Sequence, residues 1–361
     1  MKGAVEPFES RVRAYLKERY GPSARLLAVE EIGKRGRGEI KKFGYGKPLL
    51  LKFEAQGREF EAVLNTVKPS RFGHEFFYDR ASILLFQHRA FNSLPGHARA
   101  LDVGFATRDG WLRTAGGAEE FFLLVERAAG APYADDLFRI AERGAGALDY
   151  ERAVALAERL ARIHRRKGPA RDRQLLYERR VRDLVGHGEC IFGMADGYPR
   201  RWWGRLEAME RDAVGWRWRL KEYARRLARV HGDYHPWNIL FTEGSRFTLL
   251  DRSRGEWGEP ADDVASLAVN YLLFSVLRHG RLEGDWQRLF DAFLGTYFRK
   301  TRDRGLLDVL PPWLAFRGLV VASPVWYPGH PPAVREALLR FTENMLASDR
   351  FDPARVNRYF A

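Results

Sequence analysis

Residues 230–267, VHGDYHPWNILFTEGSRFTLLDRSRGEWGEPADDVASL, are the stretch that decides the fold. Two short apolar runs, at 239–241 and 247–250, stand on either side of a turn that contains the sequence EGS. Two such runs joined by a turn of this length predict a β-hairpin. Asn238 directly precedes the first run and Asp251 directly follows the second, so the hairpin would carry both side chains to the same end.

A carboxylate, Asp233, stands five residues before Asn238 in the same segment. Transfer of a phosphoryl group from ATP needs a carboxylate that orients the acceptor hydroxyl, together with metal ions that bridge the phosphate oxygens. Protein kinases supply these groups from a catalytic-loop Asp, an Asn five residues later and a further Asp after a pair of strands. Mg²⁺ prefers such hard oxygen ligands. The spacing therefore predicts Asp233 as the catalytic base, with Asn238 and Asp251 as ligands of Mg²⁺.

The segment HGDYHPWNILF, followed by LLDRSRGEWGEPADDVASL, resembles the aminoglycoside phosphotransferase/choline kinase family, the small-molecule branch of the protein-kinase-like fold. Members carry an H-G-D-x-H-x-x-N loop, a later metal-binding Asp and a D-P-A-x-D-like segment, which here occupies residues 259–263. The resemblance implies an α+β, bilobal fold, with an N-terminal antiparallel β-sheet lobe that includes a helix and a larger, mainly helical C-terminal lobe. It also implies an ATP- and Mg²⁺-dependent kinase that phosphorylates a hydroxyl of a small molecule.

The same resemblance sets the expected domain boundaries. Residues 1–128 would form the N-terminal lobe that covers the nucleotide, and residues 129–361 would form the C-terminal lobe with the acceptor site. The catalytic loop would occupy residues 231–238 and the metal loop residues 251–263.

Two positions of the metal loop carry separate expectations. Family members commonly have Phe or Trp after the metal-binding Asp, whereas this chain has Arg252, which could pair with Asp251 or with a phosphate. Asp263 matches a position that mainly holds the catalytic loop in this family, so the resemblance implies a structural role for it.

The N-terminal part of the chain predicts an amphipathic helix over residues 1–20 and two β-strands at 48–54 and 59–67. A glycine-rich, basic segment between 33 and 46 could bring backbone N–H groups to phosphates, and a solvated hairpin turn is an equal alternative. The apolar periodicity predicts further elements, namely strands at 98–105 and 120–126 and helices at 74–94, 135–142, 151–165, 171–188, 201–230, 264–278, 286–304, 312–322 and 332–348.

The nucleotide-binding residues are expected from the resemblance. Kinase-like folds place a lysine on the phosphates from a strand of the V-x-K type, and Asn65 occupies that position here. Lys68 lies three residues later, on the opposite face of a regular strand, and Lys52 lies on the preceding strand. We select Lys68 as the phosphate-binding lysine. Backbone groups from Glu126 to Ala128, in the linker between the lobes, would meet adenine.

Composition limits the class of protein. The chain has 361 residues, 45% hydrophobic and 30% charged, which suits a globular protein of two domains. Its single cysteine, Cys190, allows no internal disulfide, suits a reducing compartment and is expected to be a spectator thiol. The charged first twenty residues show no secretory signal, and the longest apolar run, 267–277, is too short to span a bilayer. We therefore predict a cytoplasmic protein without a membrane partner.

The net charge of +14 could indicate a nucleic acid or another polyanion as partner. The basic residues are scattered, which favours a generic basic surface over a dedicated nucleic-acid site. The same charge argues mildly against a polycationic acceptor, although four acids could still form a local acidic pocket, namely Glu256, Glu259, Asp262 and Glu283. Sugars, amino alcohols, other antibiotics and lipid-like alcohols all stay open as acceptors.

Competing interpretations rest on a few residues. His231 and His235 are four apart, as in some zinc sites, but no third ligand accompanies them, which favours ordered loop histidines. The tryptophans of the helical part could stack a flat substrate, although packing is the commoner role.

Asn65 and Arg252 motivate the alternative of a nucleotide-binding pseudokinase or regulatory module of the same fold. A protein or nucleic-acid kinase is a weaker third alternative.

Overall fold

The computed structural model describes residues 7–31, 48–186 and 188–361. The glycine-rich segment between 33 and 46 lies outside these residues. The chain divides into two compact units, Met1–Val125 and Glu126–Ala361. Helices and antiparallel strands occur in both units, and the predicted α+β class is confirmed. None of the helices in the described ranges is both long and apolar enough to cross a membrane.

The first unit is built on a three-stranded antiparallel sheet and a helix. Helix α1 (Phe8–Tyr20) precedes strands β1 (Arg25–Glu31), β2 (Leu49–Ala55) and β3 (Arg58–Leu64), which pair in the order β1-β2-β3. Val12 and Leu16, one helical turn apart, are buried against the sheet residues Leu51 and Phe53. The predicted helix and the predicted pair of strands are thus confirmed where the chain is described.

The rest of the first unit contains helix α2 (Phe77–Ser93) and a short antiparallel pair, β4 (Gly104–Ala106) and β5 (Leu112–Thr114). The backbone N–H of Phe76 donates to the carboxylate of Asp79 at 2.8 Å, which caps the first turn of α2. The predicted helix is therefore present but begins three residues later than 74.

Two predictions for the first unit are wrong. Strand β3 ends at Leu64, because Leu64 pairs with Leu49, the first residue of β2, and the ladder stops there. Lys68 consequently lies beyond the strand, and the argument about its face does not apply. Residues 120–126 form no strand, since no described residue pairs with them, and the side chains at 121–125 are exposed, from 62% at Phe121 to 92% at Phe122.

The second unit is mainly helical. Its helices are α3 (Tyr133–Arg143), α4 (Ala147–His164), α5 (Arg173–Val185), α6 (Ile191–Ala195), α7 (Trp203–Leu220), α8 (Pro260–His279), α9 (Gly284–Thr301), α10 (Leu306–Ala322) and α11 (Pro332–Ala347). One continuous apolar core joins them, with Leu160, Tyr271, Phe293 and Leu314 each fully buried or nearly so. Helix α8 lies inside this core and is buried along almost its whole length.

Helix α10 begins at Leu306, six residues before the predicted start at Pro312. Proline is a usual marker of a helix start, because it lacks the N–H that an interior position needs. Here Pro311 sits inside the helix and cannot bond the carbonyl of Leu307, four residues earlier. The backbone N–H of Phe351 donates to that carbonyl at 2.9 Å instead, so a partner distant in sequence lets the helix tolerate the proline.

The predicted hairpin is present in the second unit. Strand β6 (Ala131–Pro132) pairs with β8 (Ile239–Phe241), which pairs with β9 (Phe247–Leu249), all antiparallel. A 3-10 turn, Pro236–Asn238, leads directly into β8. A further short pair, β7 (Ala228–Arg229) with β10 (Trp257–Gly258), closes the segment that contains the catalytic loop and the metal loop.

Candidate active site

Asp263 holds the backbone of the catalytic loop. Its two carboxylate oxygens accept hydrogen bonds from the N–H groups of His231 at 2.8 Å and Gly232 at 2.7 Å. The ring of His164 lies 2.9 Å from the same carboxylate, and all these groups are buried. Burial raises the pKa of Asp263, but the hydrogen bonds and charges of His164 and His231 together outweigh it and lower the pKa overall. The geometry agrees with the structural role expected for Asp263.

Gly232 provides the turn that the loop needs. Its φ of +93° is a conformation that L residues with a side chain rarely adopt. A Cβ at this position would also lie 3.0 Å from the Cβ of Arg254. Glycine therefore meets two requirements at once, one of backbone conformation and one of space, and so places Asp233 beside Arg254.

Asp233 lies among cationic groups. Its Oδ1 accepts a hydrogen bond from Arg317 at 2.8 Å, and its Oδ2 lies 3.3 Å from Nε2 of His235. Arg254 lies 3.9 Å from Oδ1. Burial raises the pKa of Asp233, but the hydrogen bond from His235 and the charges of Arg317 and Arg254 lower it by more. The pKa is well below its ordinary value, so this carboxylate is ionised at neutral pH.

Arg317 connects Asp233 to a buried ion network. The guanidinium lies on α10, is 5% exposed, and also donates to Asp262 Oδ1 at 2.8 Å and to the carbonyl of Gly232 at 3.3 Å. The second oxygen of Asp262 accepts from Arg180 at 2.5 Å. Arg180 in turn donates to the carbonyl of Arg254 at 2.9 Å. Buried charges require such partners, since an unpaired one would cost several kcal/mol, on the order of 3–5.

Asn238 lies next to Asp233, as predicted. Its Nδ2 donates to the carbonyl of Asp233 at 3.1 Å and lies 3.4 Å from the Oδ2 of the same residue. Both contacts use the amide nitrogen, so the amide oxygen is turned away from the loop. An amide oxygen in this position has the hard donor chemistry that Mg²⁺ prefers.

Asp251 is held at the same end of the hairpin as Asn238. The N–H of Leu250 donates to the carbonyl of Asn238 at 2.8 Å, which fixes the following residue beside the amide. Asp251 adopts φ +48°, a left-handed conformation that Asp tolerates better than most residues. Its carboxylate is exposed, and no residue within 7–31, 48–186 or 188–361 pairs with it. The hairpin therefore places the backbones of Asn238 and Asp251 next to each other, and no described residue pairs with the Asp251 carboxylate.

Arg252 does not pair with Asp251. Its guanidinium donates to the carbonyl of Val230 at 2.7 Å and 3.0 Å and to that of Glu256 at 3.1 Å. The expected pairing with Asp251 is therefore wrong, because the backbone carbonyls of Val230 and Glu256, at one end of the β7–β10 pair, bind the side chain. The unusual residue thus supports the metal loop and leaves Asp251 unpaired.

The four acids considered for a local acidic pocket are all paired in the structure. Each of the four acids is occupied by an arginine within the second unit, because the basic residues of this chain are interleaved with its acidic ones. The pairs are Glu256 with Arg229 at 3.1 Å, Glu259 with Arg226 at 2.8 Å, Asp262 with Arg317 at 2.8 Å, and Glu283 with Arg281 at 2.5 Å. Glu259 and Asp262 are also fully or almost fully buried.

A cavity of about 410 Å³ opens beside Asp233, and Asn270, Arg317 and Trp326 are among its lining residues. It lies wholly within the second unit. This volume is within the range of small-molecule sites, about 300–1,000 Å³. Asp233 therefore borders both the loop that carries the predicted metal ligands and a cavity large enough for an acceptor molecule.

The zinc interpretation finds no support. No group of three His, Cys, Asp or Glu side chains suited to a metal ion occurs in the described part of the chain. His231 Nδ1 accepts the N–H of Asp233 at 3.3 Å, and His235 Nδ1 accepts that of Trp237 at 3.2 Å, so both are loop histidines. Cys190 is buried, and burial raises the pKa of its thiol, as expected of a spectator.

The predicted nucleotide contacts have no defined partners. Lys68 and Glu126 are exposed, and Ala128 is half-buried in a segment without regular structure. Lys52, the other candidate lysine, lies 3.0 Å from Glu30 and 3.7 Å from Glu61 on the neighbouring strands. These cross-strand ion pairs occupy Lys52, whereas no ion pair of Lys68 occurs among the described residues.

Sequence reasoning missed Arg317, Arg180 and Arg254, which surround Asp233 and Asp262. Arg254 lies within the motif segment, three positions after Asp251, and a basic residue so close to the predicted metal ligand could have indicated a functional contact. Arg317 interrupts an otherwise apolar helix, FRGLVVA, and a lone arginine in such a run indicates a buried partner. Arg180 gives no such signal, because it lies in a helix rich in arginine.

Comparison with solved structures gives similarities at low identity. The chain is similar to a glucosamine kinase in complex with glucosamine, ADP and inorganic phosphate, with 20% identity, a TM-score of 0.40, and coverage of 60% of this chain and 59% of that one. Another crystal form of glucosamine kinase gives 17% identity and a TM-score of 0.42 over 94% of this chain and 99% of that one. A choline kinase from Streptococcus pneumoniae gives 11% identity and a TM-score of 0.32 over 90% and 94%. Comparison with curated proteins gives no match.

Residues 94–304, more than half of the chain, match the family described as "Phosphotransferase enzyme family". The matched range includes the loop at 231–238 and the metal loop at 251–263. The match confirms the family resemblance that those two loops carry. The chain belongs to the phosphotransferase enzyme family.

Proposed function

We propose that this protein is an ATP- and Mg²⁺-dependent phosphotransferase that moves the γ-phosphoryl group to a hydroxyl of a small molecule. The observation that carries the proposal is the position of Asp233. Its carboxylate borders a cavity of about 410 Å³ and lies 3.4 Å from the amide nitrogen of Asn238. Asp233 therefore borders a cavity large enough for a small acceptor and at the same time contacts Asn238, one of the proposed metal ligands.

In the proposed reaction, the acceptor hydroxyl binds in the cavity and donates its O–H to the carboxylate of Asp233. The hydroxyl oxygen forms a bond to the γ-phosphorus, and the bond between this phosphorus and the β,γ-bridging oxygen breaks. The electron pair of the broken bond leaves on ADP, and the hydroxyl proton passes to Asp233. Oδ2 is the oxygen suited to this role, because its contacts with His235 at 3.3 Å and Asn238 at 3.4 Å are longer than the 2.8 Å hydrogen bond that Oδ1 accepts from Arg317.

The low pKa of Asp233 suits this mechanism. Phosphoryl transfer has a loose transition state in which the acceptor oxygen gains little positive charge before the phosphoryl group arrives. The proton then moves late, so the carboxylate needs to be ionised and well aimed more than strongly basic. His235 and Arg317 meet both needs, since their bonds lower the pKa of Asp233 and fix the direction of its two oxygens.

Asn238 and Asp251 are the residues that would hold Mg²⁺. One carboxylate and one amide oxygen, completed by phosphate oxygens and water, make a usual protein contribution to a Mg²⁺ site. When bound, the ion would neutralise charge on the phosphates and orient the γ-phosphoryl group. The free carboxylate of Asp251 and the turned-away amide oxygen of Asn238 fit this group.

Lys68 is the lysine proposed for the phosphates, and Glu126 and Ala128 are the proposed backbone contacts of adenine. The cross-strand ion pairs of Lys52 support the choice of Lys68, because Lys52 is already neutralised by Glu30 and Glu61. A cytoplasmic location, where ATP is abundant, is part of the same proposal. The cavity volume of about 410 Å³ supports a small acceptor over a nucleic acid.

The test is a nucleotide-coupled assay of the full chain with ATP, Mg²⁺ and a panel of alcohols, in which ADP release and phosphorylated product are both measured. Asp233→Asn is the critical variant, because it keeps the shape of the side chain but cannot accept the proton. We expect its kcat to fall by about 10²–10⁴-fold, the usual contribution of a general base, while ATP still binds. Equal kcat for the variant and the unaltered protein would refute the role, and ATP binding without turnover of any alcohol would favour a pseudokinase.

A further inference from the structure

The lining of the cavity beside Asp233 is electrically balanced. Two carboxylates line it, and each forms an ion pair with an arginine that also lines it. Asp233 pairs with Arg317 at 2.8 Å, and Glu189 pairs with Arg254 at 2.6 Å. No other acidic or basic side chain except His235 lines the cavity within the described residues. A polycationic acceptor would find no free carboxylate here, and an anionic one would find no free cation. The balance favours a neutral acceptor.

Two buried polar side chains line the same cavity, and each has one polar atom that makes no hydrogen bond to the described residues. Ser266 and Asn270 lie four residues apart on α8, hence on one face of the helix, and are 1% and 3% exposed. Neither Ser266 Oγ nor Asn270 Oδ1 has a hydrogen-bond partner in the part of the chain that the structure describes. A buried polar atom without a partner costs about 1–3 kcal/mol, so such atoms usually serve a ligand or an ordered water.

The orientation of the Asn270 amide is fixed. Its Nδ2 donates to the carbonyl of Ser266 at 2.8 Å, and the opposite orientation would set two oxygens against each other. Oδ1 must therefore be the unpartnered atom, and it can only accept. Ser266 Oγ can donate and accept. The pair is suited to a ligand that carries a hydroxyl donor in addition to the hydroxyl that Asp233 activates.

Aromatic side chains form the other part of the lining. Trp237 and Trp326 are 40% and 54% exposed, and Tyr327 lies beside Trp326. Indole and phenol rings present large flat apolar faces together with a polar edge. Such faces pack against the C–H surface of a saturated ring, while the hydroxyls on its rim reach polar groups such as Ser266 and Asn270.

We infer that the acceptor is a neutral, polyhydroxylated ring of the monosaccharide or cyclitol class, recognised through Ser266 and Asn270. This inference rests on the proposed phosphotransferase function, because it names the molecule that Asp233 would deliver to the phosphate. It makes Ser266 and Asn270 determinants of acceptor specificity, with no part in the chemical step.

The experiment uses the full chain with Mg²⁺ and ATP and compares three kinds of alcohol. The neutral probes are glucose, N-acetylglucosamine and myo-inositol, the singly charged probe is choline, and the polycation is kanamycin. Binding of each is measured by calorimetry, and turnover by product formation. We expect binding and turnover of at least one neutral probe and neither for kanamycin.

Ser266→Ala and Asn270→Leu test the two residues. Each should raise the KM of the neutral acceptor by about 3- to 10-fold, the effect of one lost hydrogen bond of about 0.5–1.5 kcal/mol, with kcat and the KM of ATP unchanged. Asn270→Asp adds a free carboxylate and should shift preference from glucose towards glucosamine. Arg278→Ala, at an exposed position on the same helix, is the matched control and should change neither constant.

The outcomes separate the two proposals. Binding and turnover of choline or kanamycin alone, or an unchanged acceptor KM in both variants, would overturn the polyol inference and leave a phosphotransferase. Failure of every neutral probe to bind would overturn it as well. Absence of ATP binding in the presence of Mg²⁺ would overturn the proposed function itself.

Discussion

The guanidinium of Arg317 lies 2.8 Å from the carboxylate of Asp233, although 84 residues separate them in the chain. The same guanidinium contacts Asp262 at 2.8 Å, so one cation neutralises two carboxylates within the core of the second unit. Arg317 therefore acts on the proposed reaction through Asp233. It is a positioning residue that sets the direction and the ionisation of the proposed base.

The first prediction concerns pH. Burial raises the pKa of Asp233, while His235, Arg317 and Arg254 lower it, so removal of Arg317 should raise it. Because the ionised form is active, Arg317→Met should move the acidic limb of the kcat/KM profile to higher pH, and Arg317→Lys should restore part of the shift. The measurement is the pH dependence of kcat/KM from pH 4 to pH 9.

Arg335→Lys is the control for this prediction. Arg335 is also a buried arginine, but its guanidinium donates to the carbonyls of Ala322 and Tyr327 and to no carboxylate in the described residues. Its substitution should lower stability without a shift of the acidic limb. An unshifted limb in Arg317→Met, in a variant that folds, would contradict the role of Arg317.

The second prediction concerns Mg²⁺. Asp251→Asn keeps a residue that tolerates φ +48° but removes the charge. We expect the Mg²⁺ concentration for half-maximal activity to rise about tenfold or more, the change that about 1.4 kcal/mol of lost binding produces. Glu243→Gln, at an exposed position in the turn of the same hairpin, should leave this concentration unchanged. Equal Mg²⁺ dependence of both variants would remove Asp251 from the proposed metal site.

The third prediction concerns stability. Asp263→Ala removes the acceptor of the His231 and Gly232 N–H groups and the partner of His164, all buried. We expect the free energy of unfolding to fall by about 3–5 kcal/mol at pH 7 in urea titrations. Asp349→Ala, which breaks the exposed pair with Arg219, should cost less than about 1 kcal/mol.

The direction of the pKa shift of Asp263 determines how its contribution to stability depends on pH. The pKa of Asp263 is lowered in the folded protein, since His164 and His231 together outweigh burial. Its contribution is therefore complete above the ordinary carboxyl pKa of about 4 and is lost only as the pH falls through the lower, folded value. The stability difference between the unaltered protein and Asp263→Ala should be the same at pH 7 and pH 6. If the stability difference between the two proteins disappeared between pH 7 and pH 6, the lowered pKa of Asp263 would be contradicted.

The fourth prediction concerns the glycine turn of the catalytic loop. Gly232→Ala places a Cβ at φ +93° and 3.0 Å from Arg254, so we expect a loss of kcat together with about 1–3 kcal/mol of strain. Gly244→Ala is the matched control, because its φ is +60° but nothing lies within 4 Å of the added Cβ. The control should lose stability but keep its kcat. Equal kcat in both variants would show that the loop accommodates the side chain.

Local features of this protein could be predicted from sequence. The hairpin of 239–241 and 247–249 follows from two apolar runs and a turn, and it explains why the backbones of Asn238 and Asp251 lie at the same end. The amphipathic helices followed from their apolar spacing, and Asp263 followed from the family motif. In each case the determining residues lie within a few positions of one another, or in a motif with fixed spacing.

Features set by distant contacts could not be predicted. The run at 120–126 has the composition of a strand, but a strand also needs a neighbour, and sequence does not supply one. Helix α10 starts before its prolines because Phe351 bonds the carbonyl of Leu307. The acids expected in an acceptor pocket were already occupied by arginines, and the partner of each arginine depends on which helices pack together.

Among the described residues, the hydrogen bonds that hold the catalytic loop come from groups of its own unit, such as His164, Asp263 and Arg317. The cavity that would select the acceptor is likewise lined by that unit alone. Substitutions confined to residues 126–361 could therefore redirect the enzyme to a new alcohol while the first 125 residues stayed the same. Under the proposed function, the specificity for the acceptor alcohol could thus change without any substitution in the first unit.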